Sequence, residues 1–200
     1  MSYEQYIPGA TAVGVAYKEG VILGAERRIS LGNYVISKSG KKVFKVTENT
    51  GAVCAGMIAD MQNLIREVST YAKLKELEVR RALRPNSVAK LMSVLMFERR
   101  YAPLLTQVIL GGVSSTKPSI FVLDPLGSVI PDQYAAVGTG AEMAIGVVEA
   151  GYSAALNHKD ARELLLSSIR AAIQRDAMSG NGIDMLTVDQ SGLREESLNL

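Results

Sequence analysis

Cysteine and histidine each occur once in the 200 residues, as Cys54 and His158, and tryptophan does not occur. One thiol and one imidazole supply no structural zinc site, no disulfide framework and no Cys-His pair close in sequence, so no metal or cofactor is expected. The lack of paired cysteines makes a reducing, cytoplasmic setting the default. A charge excess is also missing: 22 Lys plus Arg stand against 20 Asp plus Glu. The resulting net charge of +2 is too small for the electrostatic footprint of a nucleic-acid or anionic-membrane binder. No apolar run approaches the ~18 residues a membrane span requires. The N-terminal stretch MSYEQYIPGATAVG has Glu4 and no basic region followed by an apolar run, so it does not read as a secretory signal. What is present is ordinary: 48% hydrophobic and 21% charged residues describe a folded chain, long enough for one domain with a sizeable core.

The hydropathy pattern predicts alternating blocks of strands and helices. TAVGVAY from Thr11, the turn Lys18-Glu19-Gly20 and then VILGAE read as a hairpin. After a connection containing Gly and Ser, Val43 to Thr47 and Gly51 to Ala55 read as a second hairpin, which would make a sheet of at least four strands. Met61, Leu64, Ile65, Val68 and Ala72 recur at helical spacing, predicting a helix from Ala59 to Ala82. Arg84-Pro85-Asn86-Ser87 ends it and starts a second helix that closes at Arg99-Arg100. Strand texture returns at Gln107 to Val113, Ser119 to Asp124, Ser128 to Ile130 and Tyr134 to Val137, as a second sheet. Helices at Glu142 to Ala150 and Asp160 to Arg175, then a last hairpin from Ile183, complete the order. Segregated blocks of this kind disfavour a doubly wound parallel sheet and favour two packed antiparallel sheets, each covered by a helix pair. The expected fold is α+β, a four-layer αββα sandwich.

Local signals for chemistry are weak when taken one at a time. Gly138-Thr139-Gly140 lacks the spacing of a phosphate-binding loop and reads as a tight strand-to-helix turn. His158 stands in the polar stretch Asn157 to Asp160 and is expected to be solvated. Cys54, inside the apolar run VCAG, reads as a small buried hydrophobe. More informative are charges set in apolar neighbourhoods, which need partners: Glu26-Arg27-Arg28, Lys41-Lys42, and the stretch from Arg175 through Asp176 to Gly180.

Eight segments in collinear order tie these groups together: GATAVG at 9 to 14, AERR at 25 to 28, KKVFKV at 41 to 46, CAGMIAD at 54 to 60, LLTQVILGGV at 104 to 113, FVLDPLGSV at 121 to 129, YAAVGTGAEMAIGVVEAGY at 134 to 152 and AIQRDAMSGNGID at 172 to 184. Together they resemble proteasome β subunits, most closely the archaeal branch, whose fold is the αββα sandwich of N-terminal nucleophile hydrolases. In that family a propeptide is removed autocatalytically after a glycine, and the exposed threonine attacks the scissile carbonyl through its hydroxyl. Its α-amine, with an unperturbed pKa near ~7.7 to 8.0, accepts the proton. The resemblance places Lys42 as the activating lysine, Glu26 as its acidic partner, and Asp176 and Ser179 as the polar pair supporting the nucleophile. Gly56 matches the glycine whose N–H stabilises the oxyanion, and Thr139 stands where a serine is usual. Ile29, Cys54 and Ile58 match specificity-pocket positions and imply an apolar pocket. Lys42 is expected to be buried with Glu26 and Asp176 as charge partners.

The departure lies at the nucleophile. Counted back from Val13-Gly14, Ala10 occupies the first threonine position and Thr11 the second. Strand side chains alternate faces, so Thr11 should point away from Lys42. The resemblance therefore implies residues 1–10 as a propeptide-like segment ahead of a β-subunit domain at 11–200. Two readings follow. The chain is a non-catalytic β subunit that keeps residues 1–10, or it is an active threonine endopeptidase that uses Thr11 after cleavage behind Ala10. An independent peptidase ring lacking α subunits is the alternative of another class. The implied partners are other β subunits in a heptameric ring, proteasome α subunits, indirectly an ATPase regulatory ring, and polypeptide substrates, with neither nucleic acid nor membrane.

Overall fold

In the computed structural model of the chain, residues 9–115 and 117–200 are described, so residues 1–8 of the expected N-terminal segment lie outside the described residues. The opening hairpin is β1 (Thr11–Tyr17) and β2 (Gly20–Glu26), and every residue of both strands is buried. A short hairpin follows, β3 (Ile29–Leu31) and β4 (Tyr34–Ser37), where the sequence pattern suggested only a connection. Next come β5 (Val43–Thr47), β6 (Thr50–Gly56), the long helix α1 (Ile58–Val79) and α2 (Pro85–Glu98). The α1 helix stops at Arg80, whose left-handed φ of 51° breaks the helical run, and α2 begins on Pro85, where a missing N–H costs nothing.

The second half contains β7 (Thr106–Ser114), β8 (Lys117–Leu123), β9 (Ile130–Asp132) and β10 (Tyr134–Gly138). Helices α3 (Ala141–Gly151) and α4 (His158–Arg175) precede the final hairpin, β11 (Ile183–Asp189) and β12 (Gly192–Leu198). Asn157 caps α4, its side-chain oxygen accepting from the Asp160 N–H at 3.0 Å. His158 is the first residue of that helix and is half-buried rather than solvated, with Nε2 3.3 Å from Thr187 Oγ1 and its ring edge-on to Tyr17.

Two five-stranded sheets form, in the orders β10-β1-β2-β11-β12 and β5-β6-β7-β8-β9. This corrects the expected pairing: the two early hairpins belong to different sheets, and β10 crosses to the edge of the first sheet beside β1. The four layers are visible in three separate cores. Between the sheets lie Ala10, Ala12, Leu23, Val53, Ala55, Ile109 and Ile120. Under α1 and α2 lie Met61, Leu64, Val68, Met92 and Leu110, and under α3 and α4 lie Val13, Val15, Ile22, Leu165 and Ile169. A strand covered on both faces loses the alternation of a half-exposed one, which explains why β1 and β2 are apolar throughout. Among the described residues no helix is long and apolar enough to cross a membrane.

Candidate functional site

The start of β1 carries alternating side chains to opposite sides. Ala10 and Ala12 join the core between the sheets, whereas Val13, Val15 and Tyr17 face α3 and α4. Thr11 belongs to the helix side. Its hydroxyl lies 2.7 Å from Ser179 Oγ, and Gly140 sits so close that a Cβ there would overlap Thr11 Oγ1. The sequence can place a threonine hydroxyl at this point only because residue 140 is glycine.

Two polar hubs meet at Thr11. The first is the buried pair Lys42–Glu26, each side chain at most 1% exposed. Glu26 Oε1 accepts from the Lys42 ammonium and from the Thr11 N–H at 3.3 Å, and Oε2 accepts from the Arg28 N–H at 2.6 Å and the Gly180 N–H at 3.0 Å. The Lys42 ammonium also donates to the Arg28 carbonyl at 2.6 Å. Burial pulls the lysine pKa below its usual value, opposed by the attraction of Glu26.

The second hub is Asp176, the residue after α4. Its Oδ2 accepts from Ser179 Oγ at 2.7 Å and Thr139 Oγ1 at 2.6 Å, and its Oδ1 from the Met178 N–H at 3.0 Å. Since Ser179 spends its proton on Asp176, Thr11 donates to Ser179. The Ala10 N–H in turn donates to Thr139 Oγ1 at 3.2 Å. Asp176 is therefore satisfied by hydroxyls and a backbone N–H; among the described residues it makes no contact ion pair with Lys42, and acts on the ammonium only through longer-range charge attraction, while Glu26 is the contact partner. Thr11 joins the two hubs, its N–H reaching Glu26 and its O–H reaching Ser179.

Gly56 ends β6 with φ +136°, a conformation that suits glycine, and a Cβ there would overlap the Leu105 carbonyl. It borders a cavity of about 170 Å³ whose wall includes Gly9, Ile29, Lys42 and Ile58. Ile29 and Ile58 thus reach the cavity, with Leu31, Ile36 and Met57 adding apolar surface. Cys54 is not among its lining residues: it is fully buried in the core beneath α1, and burial pushes its thiol pKa far up, leaving an inert side chain. Among the described residues no group of three or more His, Cys, Asp or Glu could hold a metal ion.

Sequence reasoning passed over Arg28. Its Nε donates to Asn181 Oδ1 at 2.9 Å and one terminal nitrogen to the Ala177 carbonyl at 2.7 Å, so it fastens the 176–181 loop to the end of β2. The signal was present in the charged run at the strand end, but its partner lies about 150 positions away in the chain. Chemically, the arrangement provides a buried ammonium, a hydroxyl relay onto a carboxylate and an apolar cavity. Next to Thr11, where the polar groups meet, residue 10 contributes only a methyl group to the core between the sheets.

The profile of the family described as proteasome subunit matches residues 8–188. Proteasome subunit beta 1 of Cenarchaeum symbiosum is 52% identical over 189 residues, covering 94% of this chain and 97% of that protein. Proteasome subunit beta 1 of Nitrosopumilus maritimus is 50% identical, covering 95% and 96%. Proteasome subunit beta 2 of Pyrobaculum calidifontis is 46% identical, covering 98% and 97%.

Proposed function

The chain belongs to the proteasome subunit family, as a β subunit of the 20S core particle, and from that premise we propose that it is a non-catalytic member of its ring. The observation that carries this reading is the chemistry of residues 10 and 11. Ala10 has no nucleophilic atom, and the Thr11 hydroxyl is committed to Ser179 on the helix side of the sheet. Using Thr11 instead would require cleavage of the Ala10–Thr11 peptide. Thr11 and Ala10 are both fully buried, the Thr11 N–H is held by Glu26, and the Ala10 carbonyl accepts from the Gly140 N–H at 3.4 Å. Autocatalytic cleavage there would need the Thr11 hydroxyl to leave Ser179 and attack the Ala10 carbonyl.

Family membership implies assembly with other proteasome subunits. In the proposed particle this chain occupies positions in a heptameric β ring, itself capped by α rings and served by an ATPase ring in the cytoplasm. It walls the chamber while a sibling β subunit with a threonine at the first position cuts the polypeptide. Lys42, Glu26, Asp176, Ser179 and Thr139 then act as an internal polar frame that holds β1, β2 and the 176–181 loop together.

Intact mass of the chain purified from the assembled particle tests the reading. The expected result is a mass that includes residues 1–10. A mature chain beginning at Thr11, labelled there by an epoxyketone that reacts with N-terminal threonine, would overturn it and make Thr11 the nucleophile with Lys42 as its activator.

A further inference from the structure

The 176–181 loop ends on a chemically labile pair. Of the seven asparagines in the chain, only Asn181 is followed by glycine. An asparagine side-chain carbon is one bond short of a five-membered ring with the next backbone nitrogen, and a glycine there has no side chain to obstruct closure. The fold holds this pair apart. Asn181 has φ 68°, in the left-handed region, where the following nitrogen lies on the opposite side of the Cα–C bond from Cβ. The Gly182 nitrogen is thereby kept out of the ~3–3.5 Å range at which Cγ could be attacked. Three hydrogen bonds fix that conformation. The Arg28 Nε–H donates to Asn181 Oδ1 at 2.9 Å, the Gly180 N–H to Glu26 Oε2 at 3.0 Å, and the Arg27 N–H to the Gly182 carbonyl at 3.1 Å. The Arg28 guanidinium packs so tightly on Gly180 that a Cβ there would overlap it.

We propose that Asn181–Gly182 is a self-modification site, latched shut by Arg28 and opened when the 176–181 loop leaves the end of β2. Once Asn181 quits the left-handed region, the Gly182 nitrogen gives its proton to hydroxide and attacks Cγ. The new C–N bond closes a succinimide, the bond from Cγ to Nδ2 breaks, and Nδ2 takes up a proton and departs as ammonia. Water then opens either carbonyl of the ring, leaving an ordinary aspartate or one joined to Gly182 through its side chain. The second product adds a carbon to the main chain between Gly180, held by Glu26, and Gly182, held by Arg27. It shifts the loop that carries Asp176 and Ser179 against β11, so a chain that has once opened keeps a permanent mark. The guanidinium also polarises the Asn181 carbonyl, which favours attack. A nitrogen out of reach gains nothing from a better electrophile, so the latch decides the rate. None of this depends on whether residue 11 is a nucleophile.

Peptide mapping of the full-length chain, aged in mildly alkaline buffer below its melting transition, tests the latch. Conversion of Asn181 to the two aspartate products is followed in the native chain, in the same chain unfolded in urea, and in Arg28→Lys, which keeps the charge and loses the Nε–H. Asn86, followed by Ser87 at the start of α2, is the internal reference for global unfolding. Asn181 is expected to convert at least about tenfold more slowly in the native chain than in urea. Arg28→Lys should raise the native rate about tenfold, the factor that a hydrogen bond to a charged group is worth, and leave Asn86 unchanged. Equal rates at Asn181 with and without urea overturn the proposal, as does an Arg28→Lys chain that stays folded and converts no faster than wild type. Should Arg28→Lys unfold, which faster conversion of Asn86 reports, the wild-type chain decides. Urea below its unfolding transition should speed Asn181 before Asn86; a parallel rise of both means that the whole fold rather than the latch guards the site, and the proposal fails.

Discussion

Replacing Lys42 by methionine should destabilise the isolated chain by about 3 kcal/mol, the lower end of the ~3–5 kcal/mol range for breaking one side of a buried ion pair. Lys42 and Glu26 are each at most 1% exposed, so removal of the ammonium leaves a carboxylate with no counter-charge in the interior. The lower end applies because Glu26 keeps the N–H groups of Thr11, Arg28 and Gly180. For a chain of this size, that loss lowers Tm by roughly 6–12 °C. The double variant Lys42→Met with Glu26→Gln removes both charges and should recover much of the loss. The wild type also carries a pH signature. Burial lowers the folded-state pKa of Lys42 below its unfolded value, so between the two pKa values the unfolded chain binds more protons. Stability relative to Lys42→Met therefore rises with pH across that window and levels off above the unfolded value near ~10.4. Urea unfolding of both chains at several pH values measures it. A single variant within ~0.5 kcal/mol of wild type, the scatter of ordinary surface changes, would refute the reasoning, as would a double variant worse than the single.

Thr11→Val removes the hydroxyl linking β1 to Ser179 and should cost about 1 kcal/mol in urea unfolding while leaving peptidase activity of the assembled particle unchanged. A loss of activity would return Thr11 to candidacy as a nucleophile. Ala10→Thr supplies a hydroxyl at the first position, on the opposite face of the strand from Thr11, and intact mass should then show loss of residues 1–9, the hydroxyl having attacked the Gly9 carbonyl and water having hydrolysed the resulting ester. An uncleaved variant would mean that more than the nucleophile is missing. Asp124, in the turn after β8, accepts from the Ser128 hydroxyl and from the N–H groups of Ser128 and Leu126, which hold its carboxyl below the usual range. Its folded pKa lies below its unfolded one, so its stabilisation is present above ~3.9 and disappears as pH falls through the folded value. Asp124→Asn should thus cost about 1 kcal/mol at neutral pH and nothing in strong acid.

The helices were legible because their determinants are local. The repeat of Met61, Leu64, Ile65, Val68 and Ala72 marks the buried face of α1, and Pro85 marks the start of α2; the bounds fall within three residues of those observed. The ordered blocks of strands and helices were enough to indicate four layers, and the collinear motifs identified the family. Which strands share a sheet was not legible. β2 pairs with β11, some 160 residues on, and β1 with β10, while the uniform burial of β1 and β2 erased the alternation that shows which face a strand turns inward. The β3–β4 hairpin was missed because it is short and largely exposed. At the site, the residue types were present in the sequence, but not their division of labour. That Asp176 bonds to hydroxyls rather than to Lys42, that Arg28 fastens a loop far along the chain, and that Cys54 stays behind while Ile29 and Ile58 reach the cavity were decided by tertiary packing. Hydrogen-bond partners are chosen by distances of a few ångströms in space, and separation along the chain carries no record of them.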